Sequence, residues 1–292
     1  MPELPEVETV VRELGPHLRG RTILDVEADW ARTIAEPEGN IAQFRAMSRG
    51  LCITGVSRRA KYVLLELAQS ESKPWGECLV HLRMSGRLVL QPIGRPEHLR
   101  VTWHLSGGKT LYFYSMRKFG RVWLTREPER VLGELGPEPL SPSFTLSAFR
   151  ERIAKRSGML KPLLLNQRFI AGLGNIYVDE SLFRAKLHPL RKADTLDEKD
   201  VRRLYEAIRV TLRQAIDHHG TTFDGLFVRP DGEMGRQQEG LNVYGQAGLP
   251  CTRCGTPIER INVSQRGTHF CPVCQPFPAP ASQERTDHQS RN

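Results

Sequence analysis

The sequence contains no hydrophobic segment long enough to cross a membrane. A membrane-spanning helix needs about 20 consecutive apolar residues, and no run in this chain of 292 residues approaches that length. The N-terminus lacks the basic and apolar segments of a secretory signal peptide, and the chain has no internal repeat of the kind that builds solenoids. We therefore expect a cytoplasmic protein that does not associate with membranes.

Acidic residues are outnumbered by basic ones. The chain has 42 Lys and Arg against 33 Asp and Glu, which gives a formal net charge of +9 and an isoelectric point near 9.5. Such an excess favours an anionic partner, with nucleic acid ahead of a membrane surface. The length suits about two domains, each large enough to bury its own core.

Cysteine is scarce, and four of the six cysteines are grouped near the C-terminus. They form two Cys-x-x-Cys pairs separated by sixteen residues: Cys251, Cys254, Cys271 and Cys274. Disulfides are rare in a reducing cytoplasm, whereas four thiolates at this spacing suit one structural zinc with no open catalytic position. Between the pairs, a predicted β-hairpin carries Arg260, Arg266 and His269 within reach of a phosphate backbone. Cys52 and Cys78 lie in predicted strands and are expected to be core residues.

The N-terminus offers an unusual nucleophile. A small residue behind the initiator predicts that Met1 is removed, which would leave Pro2 as a terminal secondary amine. An α-amino group titrates near ~7.7–8.0, so part of it is neutral and able to attack an electrophilic carbon. Glu3 and Glu6 lie one helical turn apart and suit proton transfer. A plain helix start explains the same residues, because proline and acids favour first turns.

The first half of the chain is rich in short β-prone runs. Glycine, proline, serine and charged residues separate them, which is typical of a β-sandwich or β-barrel. The predicted strands are Arg21–Ala28, Leu51–Ser57, Lys61–Leu67, Cys78–Leu82, Leu99–Leu105, Thr110–Tyr114 and Arg121–Leu124. A linker is predicted over Gly133–Pro142.

The second half has helical periodicity. The predicted helices are Ser147–Arg156, Leu160–Asn166, a helix capped by Asn175 that reaches about Ala185, and Val201–Ile216. The glycine turn in Gly172–Tyr177 lies at a helix start, where exposed amides and the helix dipole bind phosphate. A simple glycine turn in a compact bundle explains this motif equally well.

Two basic clusters in the first half suit contacts with a nucleic acid. Lys61 heads a predicted strand. Arg117, Lys118 and Phe119 place two cations beside an aromatic ring, a combination that suits a phosphate contact and a wedge between bases. Basic clusters are also common on solvent-exposed strand edges, so the residues alone leave both interpretations open.

The ordered motifs of the whole chain resemble the bacterial formamidopyrimidine-DNA glycosylases. The resemblance extends from residue 1 to about residue 275 and depends on residues 2–8 (PELPEVE), 81–86 (HLRMSG), 172–177 (GLGNIY), 180–183 (ESLF), 243–245 (VYG) and the cysteine pairs. The N-terminal motif favours this family over its sister family, the endonuclease VIII-like enzymes for oxidised pyrimidines.

The resemblance implies an α+β multidomain fold, with an N-terminal helix plus β-sandwich and then a helical helix–two-turn–helix domain with a zinc-finger β-hairpin. DNA would lie between the lobes, with the damaged nucleotide flipped into a pocket. The expected divisions are a catalytic helix and sandwich domain (1–135), a helix–two-turn–helix DNA-binding domain (141–225), a lesion-capping loop (226–242), a zinc finger (243–276) and a disordered tail (277–292).

The resemblance also implies roles for the site residues. Pro2 would attack C1′ of the damaged nucleotide and form a covalent imine. Glu3 would act as the acid and proton relay, and Glu6 would help to position it. Lys61 matches the lysine linked to β-elimination and backbone binding. Arg266 matches the zinc-finger arginine tied to δ-elimination and phosphate binding.

Six further residues match DNA contacts in the family: His98, Arg117, Lys161, Asn175, Met84 and Phe119. Met84, Arg117 and Phe119 would fill the gap that the flipped nucleotide leaves in the duplex. The chain departs from the family pattern at Ser115, where aspartate is usual, and at Ser157, where a basic residue is common. Gln237 stands where the capping loop has an aromatic residue, so the preferred damaged base is the least defined property.

The resulting hypothesis is a bifunctional DNA glycosylase and abasic-site lyase for oxidised purines, chiefly 8-oxoguanine and formamidopyrimidines. It would act as a monomer on damaged double-stranded DNA at the bacterial nucleoid, with zinc as its one metal. The alternatives are an oxidised-pyrimidine glycosylase, a non-catalytic damage-binding protein and a zinc-ribbon RNA-binding protein. The intact Pro2 and Glu3 argue against the two non-catalytic alternatives, since a binding protein needs no nucleophile.

Overall fold

The computed structural model describes residues 1–70, 73–223 and 225–277. The tail predicted over 277–292 lies outside the described residues, apart from Phe277. Across these described ranges, no helix has the length and hydrophobicity that a membrane crossing requires. We refer to residues 19–132 as the N-terminal lobe and to residues 133–277 as the C-terminal lobe.

The first helix, α1 (Leu4–Leu18), begins with a local capping contact. Glu3 is its N-cap residue, and the Glu6 carboxylate accepts a hydrogen bond from the Glu3 backbone N–H at 2.7 Å. This contact satisfies an N–H group that the helix itself leaves unpaired. The apolar face from Val7 to Leu18 is buried, as the spacing of the valines and leucines predicts.

The N-terminal lobe consists of two sheets around one core. In spatial order, the first sheet contains β1 (Ile23–Ala28), β7 (Leu99–Leu105), β8 (Lys109–Ser115) and β6 (Gly86–Val89). The second contains β2 (Ile34–Glu36), β9 (Arg121–Thr125), β5 (Lys73–His81), β4 (Tyr62–Ser70) and β3 (Cys52–Arg59). Neighbouring strands are antiparallel, except that β2 and β9 are parallel. Side chains from both sheets and from α1 share the core, which confirms the predicted sandwich.

The sequence patterns missed short elements of this lobe, among them β2, β6 and α2 (Ile41–Ser48). Their lengths of three, four and eight residues are too short for a clear periodicity. The predicted strand Cys78–Leu82 is also too short, because β5 already begins at Lys73. Proline and glycine in that exposed first half obscure the strand pattern.

The C-terminal lobe is mainly helical. The short helix α3 (Glu129–Leu132) precedes this lobe. The helices of the lobe are α4 (Leu146–Ile153), α5 (Leu160–Leu165), α6 (Asn175–Ala185) and α7 (Glu198–Asp217). Their apolar faces share a second core. The predicted zinc-finger hairpin is present as the antiparallel pair β10 (Glu259–Val263) and β11 (Arg266–Phe270). The structure thus has the α+β architecture that the resemblance implies.

Helix α1 connects the two lobes. Leu4 packs in the core of the C-terminal lobe, whereas Val7 packs in the sandwich core. The Leu4 N–H donates to the Gly172 carbonyl at 3.0 Å. Gly172 has φ of +91°, and a Cβ there would lie 2.6 Å from Leu4 Cδ1, so this close approach requires glycine. The first residues of the chain are therefore held between the lobes.

Candidate DNA-processing site

A cleft of about 580 Å³ opens beside the start of α1. The residues that line it include Met1, Glu3, Lys61, His81, Arg83, Met84, Asn175, Tyr244 and Arg266. Glu3, Lys61 and Arg266 are predicted from three distant motifs, and the fold brings them to one place. The cleft contains both acidic and basic groups, as proton transfer and phosphate binding require.

Met1 lies at this cleft, whereas Pro2 lies just behind it. Pro2 is buried, and it lines a small neighbouring cavity together with Met1, Glu6 and Thr221. Met1 is 45% exposed and lines the main cleft. While Met1 is attached, the proline nitrogen is an amide and is not nucleophilic. Loss of Met1 would create a secondary amine beside the cleft.

Glu3 caps α6, which corrects the prediction that Asn175 does so. The Ile176 N–H donates to Glu3 Oε1 at 3.0 Å, and the Tyr177 N–H lies 3.5 Å from Glu3 Oε2. Gly174 is the N-cap residue, and Asn175 is the first residue of the helix. A Cβ at Gly174 would collide with the Glu3 carboxyl group. Glycine is therefore needed at this contact between distant parts of the chain.

The glycine motif at Gly172–Tyr177 makes a structural contact in this structure, which favours the glycine-turn interpretation. The amides at the start of α6 bind the Glu3 carboxylate, so an anion from the chain itself takes the place expected for phosphate. Asn175 donates from Nδ2 to the Gly267 carbonyl at 3.0 Å. This bond ties the start of α6 to the zinc-finger hairpin.

Glu6 is enclosed in a hydrogen-bond network between the lobes. It is 1% exposed, and it accepts hydrogen bonds from the Tyr177 hydroxyl, from the Thr221 N–H at 2.7 Å and from the Glu3 N–H. Burial and the nearby Glu3 charge raise the pKa of Glu6, although the hydrogen bonds oppose this shift. Its contacts suit a residue that fixes the position of Glu3.

Lys61 is buried at the edge of the cleft and is 4% exposed. Burial lowers the pKa of its ammonium, while the carboxylates of Glu3 and Glu6 oppose the shift. A lysine with a lowered pKa releases its proton more readily, which suits proton transfer in an elimination. The turn before Lys61 is held by Glu138 of the predicted linker, which pairs with Arg58 at 2.8 Å.

His81 lines the cleft and was not predicted as a site residue. Its Nδ1 accepts the Arg83 N–H at 3.0 Å, so the neutral ring carries its proton on Nε2. Burial and the charges of Arg83 and Lys61 lower the pKa of His81 to about 3. The ring is therefore neutral at physiological pH and offers a hydrogen-bond donor. The sequence signal that could have identified it as a site residue is its position near the end of a strand, three residues before Met84.

The predicted wedge residues lie around a second cleft of about 400 Å³ next to the first. Met84 and Phe119 both line it, and they are 40% and 52% exposed. Exposed apolar side chains beside cationic groups suit insertion between DNA bases. Arg117 Nη1 lies 3.5 Å from Met84 Sδ. The structure therefore groups the three residues predicted to fill the gap in the duplex.

Ser115 supports the turn that carries the wedge residues. Its hydroxyl oxygen accepts the Gly120 N–H at 3.1 Å, and the Ser85 hydroxyl oxygen accepts the Arg117 N–H at 3.2 Å. Serine thus replaces the expected aspartate as a smaller hydrogen-bond acceptor, in a turn that two hydrogen bonds stabilise. Another departure from the family pattern, Ser157, is exposed.

The predicted capping loop packs against α1 and the first sheet. Arg229 pairs with Glu13 of α1 at 2.7 Å, and the Leu90 N–H donates to the Pro230 carbonyl at 3.1 Å. Gln237 is 5% exposed, and its Oε1 has no hydrogen-bond partner among the described residues. A buried amide oxygen without a partner is costly, so Gln237 is available to a donor that enters this loop.

Three predicted DNA contacts line neither of the two clefts: His98, Lys161 and Arg117, which lies beside Met84. His98 lines a separate cavity of about 40 Å³ with Arg95 and Tyr114. Lys161 is fully buried and pairs with Asp179, so a contact with DNA would require this pair to open. Burial lowers the pKa of Lys161, while Asp179 opposes the shift.

Asp179 explains the burial of that lysine, because it also holds the zinc-finger hairpin. Its second carboxylate oxygen accepts the His269 backbone N–H at 2.9 Å. His269 is only 9% exposed, so little of its side chain is available for the phosphate contact expected from the sequence. Lys161 neutralises a carboxylate that joins α6 to β11, and Arg266 is the first residue of β11.

Lys161→Met is expected to lower the free energy of unfolding by about 3–5 kcal/mol, because it leaves the Asp179 carboxylate buried without a cation. Denaturant unfolding would measure the change, and the double variant Lys161→Met/Asp179→Asn should recover most of the loss. If Lys161→Met unfolds like the parent but binds DNA weakly, the lysine acts on DNA after all.

The four clustered cysteines form a zinc site. Their Sγ atoms all lie within 4.8 Å of one another, with Cys251 to Cys274 at 3.9 Å and Cys254 to Cys271 at 3.5 Å. A tetrahedron with Zn–S bonds of about 2.3 Å has edges of about 3.8 Å, whereas a disulfide bond is only about 2.05 Å long. The donor set therefore fits one structural zinc, as predicted.

The two-lobed fold, the zinc site and the cationic clefts are those expected of a DNA-processing enzyme with a zinc finger. Comparisons with known proteins agree in all three parts of the chain. Sequence models of three families match it: the Formamidopyrimidine-DNA glycosylase N-terminal domain at residues 1–122, the Formamidopyrimidine-DNA glycosylase H2TH domain at residues 135–225, and the zinc finger found in FPG and IleRS at residues 248–276. The chain belongs to the formamidopyrimidine-DNA glycosylase (Fpg) family.

Individual relatives match over nearly their full length. The Fpg of Protochlamydia amoebophila is 42% identical, over 94% of this chain and 99% of the relative. The crystal structure of the MutM (Fpg) protein of Thermus thermophilus is 42% identical with a TM-score of 0.83, covering 94% of this chain and 98% of that one. Lactococcus lactis Fpg is 37% identical, with a TM-score of 0.83 for its complex with abasic-site DNA, which covers 94% of this chain and 100% of that one. Other complexes of the Lactococcus protein contain N7-benzyl-Fapy-dG DNA or DNA with an oxidised pyrimidine.

Proposed function

We propose that this protein is a bifunctional DNA glycosylase and abasic-site lyase that excises oxidised purines, chiefly 8-oxoguanine and formamidopyrimidines. The observation that carries the proposal is the buried Pro2 at the end of the chain, beside a cleft lined by Glu3, Lys61 and Arg266. A terminal secondary amine can form a covalent bond to a sugar carbon, and a protein that only binds DNA has no need of such a nucleophile. Membership of the Fpg family supports the same activity.

In the proposed reaction, the Pro2 nitrogen bonds to C1′ as the bond between C1′ and the damaged base breaks. Glu3 relays the proton of the Pro2 nitrogen to O4′ as the sugar ring opens, which leaves an iminium ion between Pro2 and the opened sugar. Loss of a C2′ proton then expels the 3′ phosphate in β-elimination, which Lys61 assists. A second elimination expels the 5′ phosphate, which Arg266 binds. Each step transfers protons and leaving groups without a catalytic metal.

The zinc would hold the hairpin that presents Arg266 and take no part in bond breaking, because all four of its ligands come from the protein. His98, Arg117 and Asn175 are proposed DNA contacts, and Met84 and Phe119 the wedge that replaces the flipped nucleotide. Both clefts contain cations that form no ion pair with another described residue, so binding should weaken steeply with added salt.

We also propose the domain divisions given by the sequence analysis, with the catalytic helix and sandwich ending near residue 135 and the zinc finger at 243–276. The substrate, damaged chromosomal DNA, implies that the protein acts in the bacterial cytoplasm at the nucleoid, as a monomer.

Oxidised pyrimidines are the second candidate substrate. The favouring observations are the Lactococcus complex with an oxidised pyrimidine and the polar Gln237 in the capping loop of this chain.

Borohydride trapping tests the proposal. The purified protein is incubated with duplex DNA that carries 8-oxoguanine, and in parallel with a dihydrothymine duplex. We expect a covalent adduct on the first duplex, which mass spectrometry maps to Pro2 with Met1 absent. An adduct only on the second duplex would move the substrate class to pyrimidines. Retained DNA binding without any adduct would contradict the enzymatic proposal.

A further inference from the structure

Arg83 combines an unfavourable backbone conformation with an exposed position at the DNA-processing site. Its φ is +55°, in the left-handed region that costs an ordinary side chain energy and costs glycine almost none. Such strain persists where the surrounding structure imposes it, and it is concentrated at functional sites. Glycine at this position would relieve the strain, so the presence of an arginine side chain there needs an explanation.

The guanidinium of Arg83 has no partner in the part of the chain that the structure describes. The residue is exposed, and its side chain makes no hydrogen bond or ion pair with any described residue. Its backbone N–H is satisfied by His81 Nδ1. By contrast, Arg58 and Arg100 of the same lobe are buried in ion pairs with carboxylates. Arg83 therefore contributes nothing evident to the fold.

Arg83 lies where the two clefts meet. It lines the cleft of about 580 Å³ and the cleft of about 400 Å³, and Met1, Met84 and Arg266 do the same. The charge of Arg83 reaches His81, where it helps to lower the pKa of the ring. Both clefts therefore contain cationic side chains close to Met1. Such charges repel one another until an anion enters.

We propose that Arg83 binds a backbone phosphate of the damaged strand next to the extruded nucleotide, and that the strained turn exists to present its guanidinium there. This inference rests on the proposed function, because it assumes that the clefts hold DNA. Phosphate has the charge and the hydrogen-bond acceptors to bind both the exposed guanidinium of Arg83 and the neighbouring cationic side chains of the two clefts. The contact lies between the proposed wedge and the nucleophile, so it would hold the strand at the point where the nucleotide leaves the duplex.

Arg83→Gly separates this binding role from a structural one. Relief of the left-handed conformation should leave the melting temperature unchanged or raise it by about 2–4 °C. Loss of one phosphate contact should reduce the slope of log K against log salt concentration by about 0.7–0.9. Affinity near 0.1 M salt should fall about tenfold. A stabilised protein that binds DNA less well is a result that a structural arginine would not produce.

A matched control is available in Lys186. It has φ of +58° and is exposed at the C-terminal end of α6. It lines neither of the two clefts. Lys186→Gly removes the same charge and relieves the same kind of backbone strain, and it should leave the salt slope unchanged. Arg83→Asn provides a second neutral residue that tolerates the left-handed region, and Arg83→Lys should retain the slope of the parent.

The measurement is fluorescence anisotropy with a duplex that carries a tetrahydrofuran abasic analogue, repeated from low to moderately high salt. The analogue cannot form an imine, so binding is read without reaction. An unchanged slope for Arg83→Gly, an equal loss for Lys186→Gly, or a lower melting temperature for Arg83→Gly would each overturn the proposal. Borohydride trapping of the parent separates the two failures. No adduct would contradict the proposed function, whereas an adduct with an unchanged Arg83→Gly slope would contradict only the role of Arg83.

Discussion

A protein that retains a residue in front of Pro2 is expected to lose strand cleavage almost completely. An additional residue turns the proline nitrogen into an amide, whereas a free secondary amine can attack carbon when it is neutral. Insertion of one serine between Met1 and Pro2 should therefore abolish borohydride trapping. It should slow cleavage of an 8-oxoguanine strand by about 10³-fold or more, as removal of a nucleophile does in other enzymes. Single-turnover cleavage, with both N-termini determined by mass spectrometry, measures the effect.

Pro2→Gly is the companion variant, because it keeps a terminal amine but loses the secondary amine and the ring. We expect it to bind damaged DNA like the parent and to lose most of its cleavage. The exposed position of Met1 at the cleft supports normal binding by both variants, since neither change removes a contact of the α1 cap. Cleavage by the serine-extended protein at the rate of the mature protein would remove Pro2 from the mechanism.

Loss of zinc is expected to have the second largest effect. Cys271→Ser removes one of four thiolates from a site whose ligands lie within 4.8 Å of one another, and structural zinc supplies much of the folding free energy of such small hairpins. The β10–β11 pair should lose its structure, and Arg266 would lose its fixed position at the cleft. We expect a zinc content near zero, a loss of DNA affinity of about 10²-fold and little δ-elimination product.

Cys52→Ser is the matched control, because Cys52 is a half-buried thiol in β3, far from the zinc ligands in sequence. It should keep full zinc content and normal product ratios. Metal analysis, anisotropy and gel separation of the β- and δ-elimination products provide the three readouts. A preparation of Cys271→Ser that is free of zinc and fully active would show that the metal does not support the site.

The parts of the site that could be predicted from sequence are those encoded by neighbouring residues. The cysteine pairs predict the zinc site because two closely spaced pairs of thiolates already supply the four ligands of a tetrahedron. Most strands of the sandwich follow from short β-prone runs bounded by turn residues. The placement of Pro2 beside a cleft follows only from the family resemblance, since nothing in the first helix indicates what packs against it.

Contacts between distant residues could not be predicted. Asn175 is a good N-cap residue by type, yet the Glu3 carboxylate binds the Ile176 amide at that helix start, 173 positions away in sequence. Lys161 belongs to a basic stretch, and no local pattern indicates that Asp179 and the hairpin enclose it. In both cases a charge from another element decided the outcome, because a buried ionised group needs a partner wherever the fold supplies one.

The position of α1 between the lobes also determines how long the N-terminus stays accessible during synthesis of the chain. Glu6 completes its network only with Thr221, 215 positions later, and ribosomes add about 5–20 residues per second. The start of the nascent chain therefore waits for about 10–40 s before its final binding partner has been synthesised. During that interval the initiator methionine is accessible to an aminopeptidase, and afterwards the proline behind it is buried. The long sequence separation that delays folding thus leaves time for the removal of Met1, on which the proposed role of Pro2 depends.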